Sequence, residues 1–247
     1  MLGIPQQDTF VLQVWAHDIF RGADPILADA VERINTYGQD FMTYMADHLN
    51  KRRKSPANND LLDLLFERYK GQPLTSDELA ANFILLFAAG FETTASVISN
   101  SVLALLRNPN QLQLLREHPE VMESAVDEFL RYDGALRLVA RTALEDVEMG
   151  DVLIQRGDQV FFVVLAANRD PQVFADPDRL DVTRDSKRHV AFGHGIHYCL
   201  GAPLARFEIQ SAISALIRHD FALLPGAVEW KESIMFRSLE RLPIVFR

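Results

Sequence analysis

Cys199 is the only cysteine in the chain, and it lies in Phe192-Gly193-His194-Gly195-Ile196-His197-Tyr198-Cys199-Leu200-Gly201. Glycine is favoured where the backbone takes a positive φ or where another group must come close. The apolar spacing from Ala202 to Ile217 predicts an amphipathic helix directly after this loop. Orphan N–H groups and the helix dipole at such an N-terminus favour a thiolate over a thiol. Four chemistries then compete. Cys199 could be a nucleophile activated by His194 or His197. It could hold zinc together with His189, His194 and His197, although the spacings are irregular and no C-x-x-C accompanies them. It could be an inert structural cysteine beside surface histidines. It could also be the single axial thiolate of a haem iron. The last accounts for most of the loop: one soft ligand, glycines that admit a flat macrocycle, and a helix N-terminus that moderates the charge.

A second stretch breaks its own pattern. Thr75-Ser76-Asp77-Glu78 reads as a capping box. The helix it opens meets no proline until Pro109, which makes it about 30 residues and about 48 Å long. From Phe83 to Phe91 it is apolar nearly all round, so its middle is expected to be buried. Gly90, Glu92, Thr93 and Thr94 interrupt that run. Further on, Glu120 to Tyr132 reads as a helix that carries Glu128 and Arg131 on one face. By itself such a pair is a surface ion pair of little energetic weight.

The remaining elements must position these residues. Thr9 to Arg21 has helical spacing, and Asp24-Pro25 is a good start for a helix running to about Arg53. Lys54 to Asn59 reads as a polar loop, followed by a short helix from Leu61 to Tyr69, capped by Asp60 and ended by Gly71 and Pro73. After Gly134, Val147–Gln155 and Gln159–Leu165 predict a hairpin about Arg156-Gly157. Asn168 to Arg188 reads as an ordered meander of turns. Phe221–Leu224 and Pro243–Phe246 predict a closing hairpin. The fold class is mainly α with small β-sheets.

Composition sets outer bounds. The chain has 247 residues, 48% hydrophobic and 24% charged, which is an ordinary globular composition. Its net charge of −9, with no dominant basic block, argues against nucleic acid as a partner. One cysteine fits a reducing compartment, and the start of the sequence has no signal-peptide pattern. The run from Phe83 to Phe91 is about half of the roughly 20 residues that span a membrane. These features predict a cytoplasmic protein with no membrane partner.

The loop around Cys199 resembles the haem-binding signature of the cytochrome P-450 family, Phe-Gly-x-Gly-x-(His/Arg)-x-Cys-x-Gly, with every fixed position filled. Ala89-Gly90-Phe91-Glu92-Thr93-Thr94 resembles the family's oxygen-activation motif. Glu128-Phe129-Leu130-Arg131 resembles its Glu-x-x-Arg motif, and Phe174-Ala175-Asp176-Pro177-Asp178-Arg179 its meander. Asn168-Arg169-Asp170-Pro171 and Gly201-Ala202-Pro203-Leu204-Ala205-Arg206 are similar to the soluble bacterial branch. Leu2-Gly3-Ile4-Pro5 resembles a segment well inside the family's chain. The resemblance therefore implies a single partial domain, residues 1–247, built around a long central helix, without the N-terminal helices and the substrate-covering loop.

The resemblance also implies roles. Cys199 would ligate the iron of haem b, and Phe192 would shield the thiolate. His197 and Arg141 would hold the propionates, with Arg137 a second candidate; a solvated strand arginine is the plain alternative for Arg141. Ala89, Gly90, Ala191, Gly193, Leu200, Gly201 and Ala205 would complete the haem contacts. Thr93 would bond dioxygen and Glu92 would relay protons. The plain alternatives are a threonine bonded to the carbonyl one turn back and a core carboxylate paired with an arginine. Glu128, Arg131 and Arg179 would form a buried structural triad. The implied activity is a monooxygenase acting on a small apolar substrate, with electrons from a ferredoxin or flavodoxin docking near Arg206, Lys187 and Arg188. A haem-binding module without catalytic competence and a cofactor-free helical interaction protein are the rival classes.

Overall fold

The capping box at Thr75 forms as its residue types require. The Thr75 N–H donates to Glu78 Oε2 (2.8 Å), and the Glu78 N–H donates to Thr75 Oγ1 (3.2 Å). It opens α4, Ser76–Arg107. The computed structural model describes residues 2–22, 24, 30–55, 60–66, 74–226 and 228–247. It comprises two compact units, Met1–Glu92 and Thr93–Arg247, and α4 contributes to both.

The first unit contains α1 (Thr9–Gly22), α2 (Ala30–Arg53), α3 (Leu61–Phe66) and the start of α4. α1 packs along α2. Leu12 and Ala16 of α1, Phe41 and Met45 of α2, and Leu79, Phe83 and Ala88 of α4 share one apolar cluster. Asp60 caps α3 as expected, with the N–H groups of Leu62 and Asp63 on its Oδ1. The predicted helix start at Pro25, the loop through Pro56–Asn59 and the stop at Gly71 and Pro73 lie outside the described residues.

The expected burial of the middle of α4 is corrected. Phe83 and Ala88 are buried, but Leu85 is 63% exposed, and Ala89 and Gly90 are exposed. Within this unit the helix has apolar neighbours on one side, so only the stripe facing α1 and α2 is covered. By length and apolarity α4 could cross a membrane. Its buried residues pack in the apolar cluster of each unit.

The second unit adds α5 (Pro109–Glu117), α6 (Met122–Asp133), α7 (Val164–Ala167) and α8 (Ala202–Leu216). Its core joins Val97 and Leu105 of α4, Leu115 of α5, Val126 and Phe129 of α6, and Ile209 and Ile213 of α8. Two buried polar residues of α4 tie it to the C-terminal strands and to α6. Ser96 Oγ donates to Ser238 Oγ (2.9 Å), and Asn100 Nδ2 donates to the carbonyls of Asp133 and Arg237.

The strands form antiparallel pairs. The hairpin predicted about Arg156-Gly157 is not the one that forms. β2 (Val147–Met149) closes on β3 (Val152–Ile154) instead, with Gly150 at φ +60° in the connecting turn. Glycine permits that positive φ, so the first β-rich run folds back on itself. β4 (Gln159–Phe162) pairs with β1 (Val139–Thr142), Val139 opposite Phe162. The closing pair is as predicted: β5 (Phe221–Leu223) lies beside β8 (Ile244–Phe246), with β6 (Glu229–Trp230) paired to β7 (Leu239–Arg241) between them in sequence.

Candidate functional site

The Cys199 loop is shaped by its glycines. Gly193 and Gly195 both have φ +73°, which L side chains rarely adopt. They fold the chain through a single 3₁₀ turn, Gly195–His197. The Cys199 N–H then donates to the Phe192 carbonyl (2.9 Å), and the Ala202 N–H donates to the Cys199 carbonyl (3.2 Å) as α8 begins. The thiol is half-buried. A Cβ added to Gly201 would stand 4.0 Å from its Sγ, in ordinary contact.

A side-chain network not anticipated from sequence braces the loop from behind. Asp127 of α6 accepts Nε–H of Arg206 from α8 (2.9 Å) and lies 3.4 Å from His189 Nε2. The Arg206 guanidinium covers the Phe192 ring at 4.6 Å, and the His189 ring packs on Phe192 at 5.6 Å. The Ala191 N–H donates to His189 Nδ1 (3.1 Å). Burial pushes the Asp127 carboxyl up, but the bonds from His189 and Arg206 outweigh it and hold the carboxyl below its ordinary value. Asp127 and Arg206 are 79 positions apart, so no local spacing announces the pair. Arg206 is therefore part of the scaffold and not a free surface cation.

Glu128 and Arg131 form a completely buried pair, both 0% exposed. Arg131 donates to both Glu128 oxygens (2.6 and 2.8 Å) and to the carbonyls of Asn168, Pro177 and Arg179. Glu128 also accepts from Ser186 Oγ (2.6 Å) and the Asp181 N–H (3.0 Å). The assignment of Arg179 as third member is corrected. Its side chain is 64% exposed and bonds Asp181, and only its carbonyl joins the network. The second guanidinium on Glu128 belongs to Arg184, at 3.3 Å and 12% exposed. Arg179 points outward and Arg184, five positions on, points inward, which the motif alone does not resolve.

The other expected residues are spread over both units. Glu92 ends the first unit, and its carboxylate pairs with His17 of α1 at 3.3 Å. Thr93, half-buried, begins the second. No protein atom lies within 4 Å of a Cβ placed on Gly90, so packing within the described residues does not demand glycine there. Arg141 is exposed on β1 and donates to the Ala140 carbonyl (2.7 Å). Arg137 anchors its backbone to Met235 and Leu165. Ala191 and Phe192 pack against the second core. His197, Gly193, Leu200 and Gly201 are exposed, and Ala205 is half-buried.

This arrangement narrows the four chemistries. Among the described residues no group of three or more His, Cys, Asp or Glu side chains could hold a metal ion, which removes the zinc reading. None of the hydrogen bonds among the described residues links the Cys199 sulfur to His194 or His197. A single soft donor on a positive-φ glycine loop, with a glycine beside the sulfur, suits one axial position of a flat macrocycle. The residues present fit a haem.

The comparisons with known proteins agree. The sequence matches the family model for cytochrome P450 over residues 7–238. It is 39% identical to the biotin biosynthesis cytochrome P450 of Bacillus subtilis, over all of this chain and 63% of that protein. It is 38% identical to the cytochrome P450 monooxygenase PikC of Streptomyces venezuelae, over all of this chain and 59% of that one. The crystal structure of P450BioI with a hexadec-9Z-enoic acid ligated acyl carrier protein superposes with a TM-score of 0.93 at 40% identity, covering 99% of this chain and 64% of that one. The chain thus spans about 60% of the length of the curated relatives it matches. It belongs to the cytochrome P450 family, and its fold is the C-terminal part of that family's fold.

Proposed function

We propose, from the chain's membership of the cytochrome P450 family, that it is the cofactor-holding part of a haem-thiolate monooxygenase acting in the cytoplasm. The observation that carries the reading is Cys199, held half-buried by Gly193 and Gly195, tied to Phe192, and in no group of three or more metal-ligating side chains among the described residues. Cys199 Sγ would ligate the iron of haem b, and the Phe192 ring, covered by Arg206, would shield that sulfur. Gly193, Leu200, Gly201, Ala191 and Ala205 would contact the macrocycle. His197 and Arg141 would hold the propionates, whose carboxylates suit the planar fork of Arg141. When bound, the haem supplies the redox chemistry: with two electrons and two protons it puts one atom of O₂ into the substrate and releases the other as water. Thr93 would hold a hydroxyl proton for that chemistry, and Glu92 would supply protons towards Thr93.

The substrate is a small apolar organic molecule. The apolar hexadec-9Z-enoic acid chain of the P450BioI complex supports the apolar character. The electron donor is a ferredoxin or flavodoxin. Lys187 and Arg188 are exposed and available to an acidic partner, whereas Arg206 is committed to Asp127. A second reading is a haem-binding module without catalytic competence. It is favoured by the apolar side chains that the chain leaves open, Leu85 at 63%, Leu200 at 85% and Ile196 at 97% exposure.

Reconstitution with haemin tests both. The reduced, carbon monoxide-treated protein is expected to show the red-shifted Soret band of thiolate ligation, and Cys199→His to abolish it. A protein that stays colourless, or an unchanged spectrum in the variant, overturns the assignment. Product formation dependent on NADPH and a surrogate ferredoxin system separates the monooxygenase from the inert module.

A further inference from the structure

The Glu92 carboxylate raises a question of supply. It lies on α4 one turn beyond Ala88, which is buried in the first core. Residues four apart share a helix face, so Glu92 continues the inward stripe of α4. Its side chain is only 11% exposed. A carboxylate in that position needs a partner, and a carboxylate that passes on protons needs a source of them. On α1, Leu12 and Ala16 point into the same core, and His17 follows at its margin. His17 Nδ1 lies 3.3 Å from Glu92 Oε2, and the His17 side chain is 33% exposed. Exposure therefore rises outward along the pair, from the carboxylate to the imidazole.

Imidazole can accept a proton on one nitrogen while giving one from the other. We propose that His17 is the solvent-facing positioning and proton-relay residue for Glu92. This rests on the monooxygenase reading above. Nδ1–H donates to Oε2 and holds the carboxylate in place. In the transfer step Nε2 takes a proton from hydronium and the proton on Nδ1 passes to Oε2. A hydronium ion and a carboxylate become water and a carboxylic acid, and the imidazole remains neutral as the other tautomer. The neighbouring ionisable groups on α1 are Asp18 and Arg21. The packed α2 carries Asp40, Tyr44 and Asp47 along its middle, with Tyr44 bonded to Asp8.

Two measurements test the relay. On the chain without haem, the ¹⁵N shift of His17 Nδ1 is compared between wild type and Glu92→Gln. On the haem-loaded protein with a surrogate ferredoxin system, His17→Gln is compared with wild type. Glutamine keeps a side-chain N–H donor but cannot take up and pass on a proton. The Nδ1 shift is expected to move in Glu92→Gln. His17→Gln is expected to keep haem content and the thiolate band, lose at least about tenfold in turnover, divert electrons to hydrogen peroxide and change the solvent isotope effect. An Nδ1 shift indifferent to Glu92→Gln overturns the pairing. Unchanged turnover and isotope effect in His17→Gln overturn the relay alone. A wild-type chain with no thiolate band or no product overturns the monooxygenase reading and the relay with it, while the nitrogen shift still registers the pair.

Discussion

Three arginines surround the meander behind the Cys199 loop, and the structure ranks them. Arg131→Met removes the two bonds to Glu128 and those to the carbonyls of Asn168, Pro177 and Arg179. It leaves Glu128 at 0% exposure as a buried carboxylate without its principal countercharge. Breaking a buried pair from one side costs about 3–5 kcal/mol. The three abandoned carbonyls push towards the upper end. Arg184, still 3.3 Å from Glu128, limits the loss. That is a large share of a total stability of about 5–15 kcal/mol. Arg184→Met removes one longer bond to Glu128 and bonds to the carbonyls of Ala175, Asp176 and Arg179, for a loss of about 1–2 kcal/mol. Arg179→Met removes an exposed pair with Asp181, a loss below about 1 kcal/mol. Urea denaturation of the three variants at pH 7, followed by circular dichroism, reads the order directly. The expected order of loss is Arg131, then Arg184, then Arg179. An Arg179→Met variant as damaged as Arg184→Met would refute the placement of the second guanidinium.

Two further perturbations follow from the same geometry. The Asp127 carboxyl is held below its ordinary pKa, so its contribution is present above its unfolded value and fades as pH falls through the folded one. Asp127→Asn is therefore expected to be less stable than wild type at pH 7, with the gap closing below about pH 4; a gap of constant size between pH 7 and pH 3 in urea titrations would count against the network. Gly90→Ala places a methyl group in open space on a helix, so the apo protein is expected to gain about 0.5–1 kcal/mol. The same methyl group is expected to weaken haemin binding in a fluorescence-quenching titration, and equal or tighter binding would remove Gly90 from the haem contacts.

The division between what could be read early and what could not follows the range of the interactions. The capping box at Thr75 and Glu78, the Asp60 cap and the positive-φ glycines of the Cys199 loop are short-range features. Each is determined by residue types a few positions apart, so the sequence alone sufficed for the start of α4, for the loop and for the family. The hairpin closes at Gly150 and not at Arg156-Gly157: two glycine turns lie close together, and which one closes a pair depends on β1 being available to β4. The exposed face of α4 followed from where neighbouring helices stand, which an apolar run does not state. The partnerships that brace the site were beyond local reading altogether. Asp127 meets Arg206 across 79 positions, Glu92 meets His17 across 75, and Glu128 meets Arg184 across 56. By itself the sequence determined which atom could bind a metal and what kind of loop carried it. Only the tertiary structure decided which charges stand behind that loop, because a buried charge takes whatever partner the packed helices bring within about 3 Å.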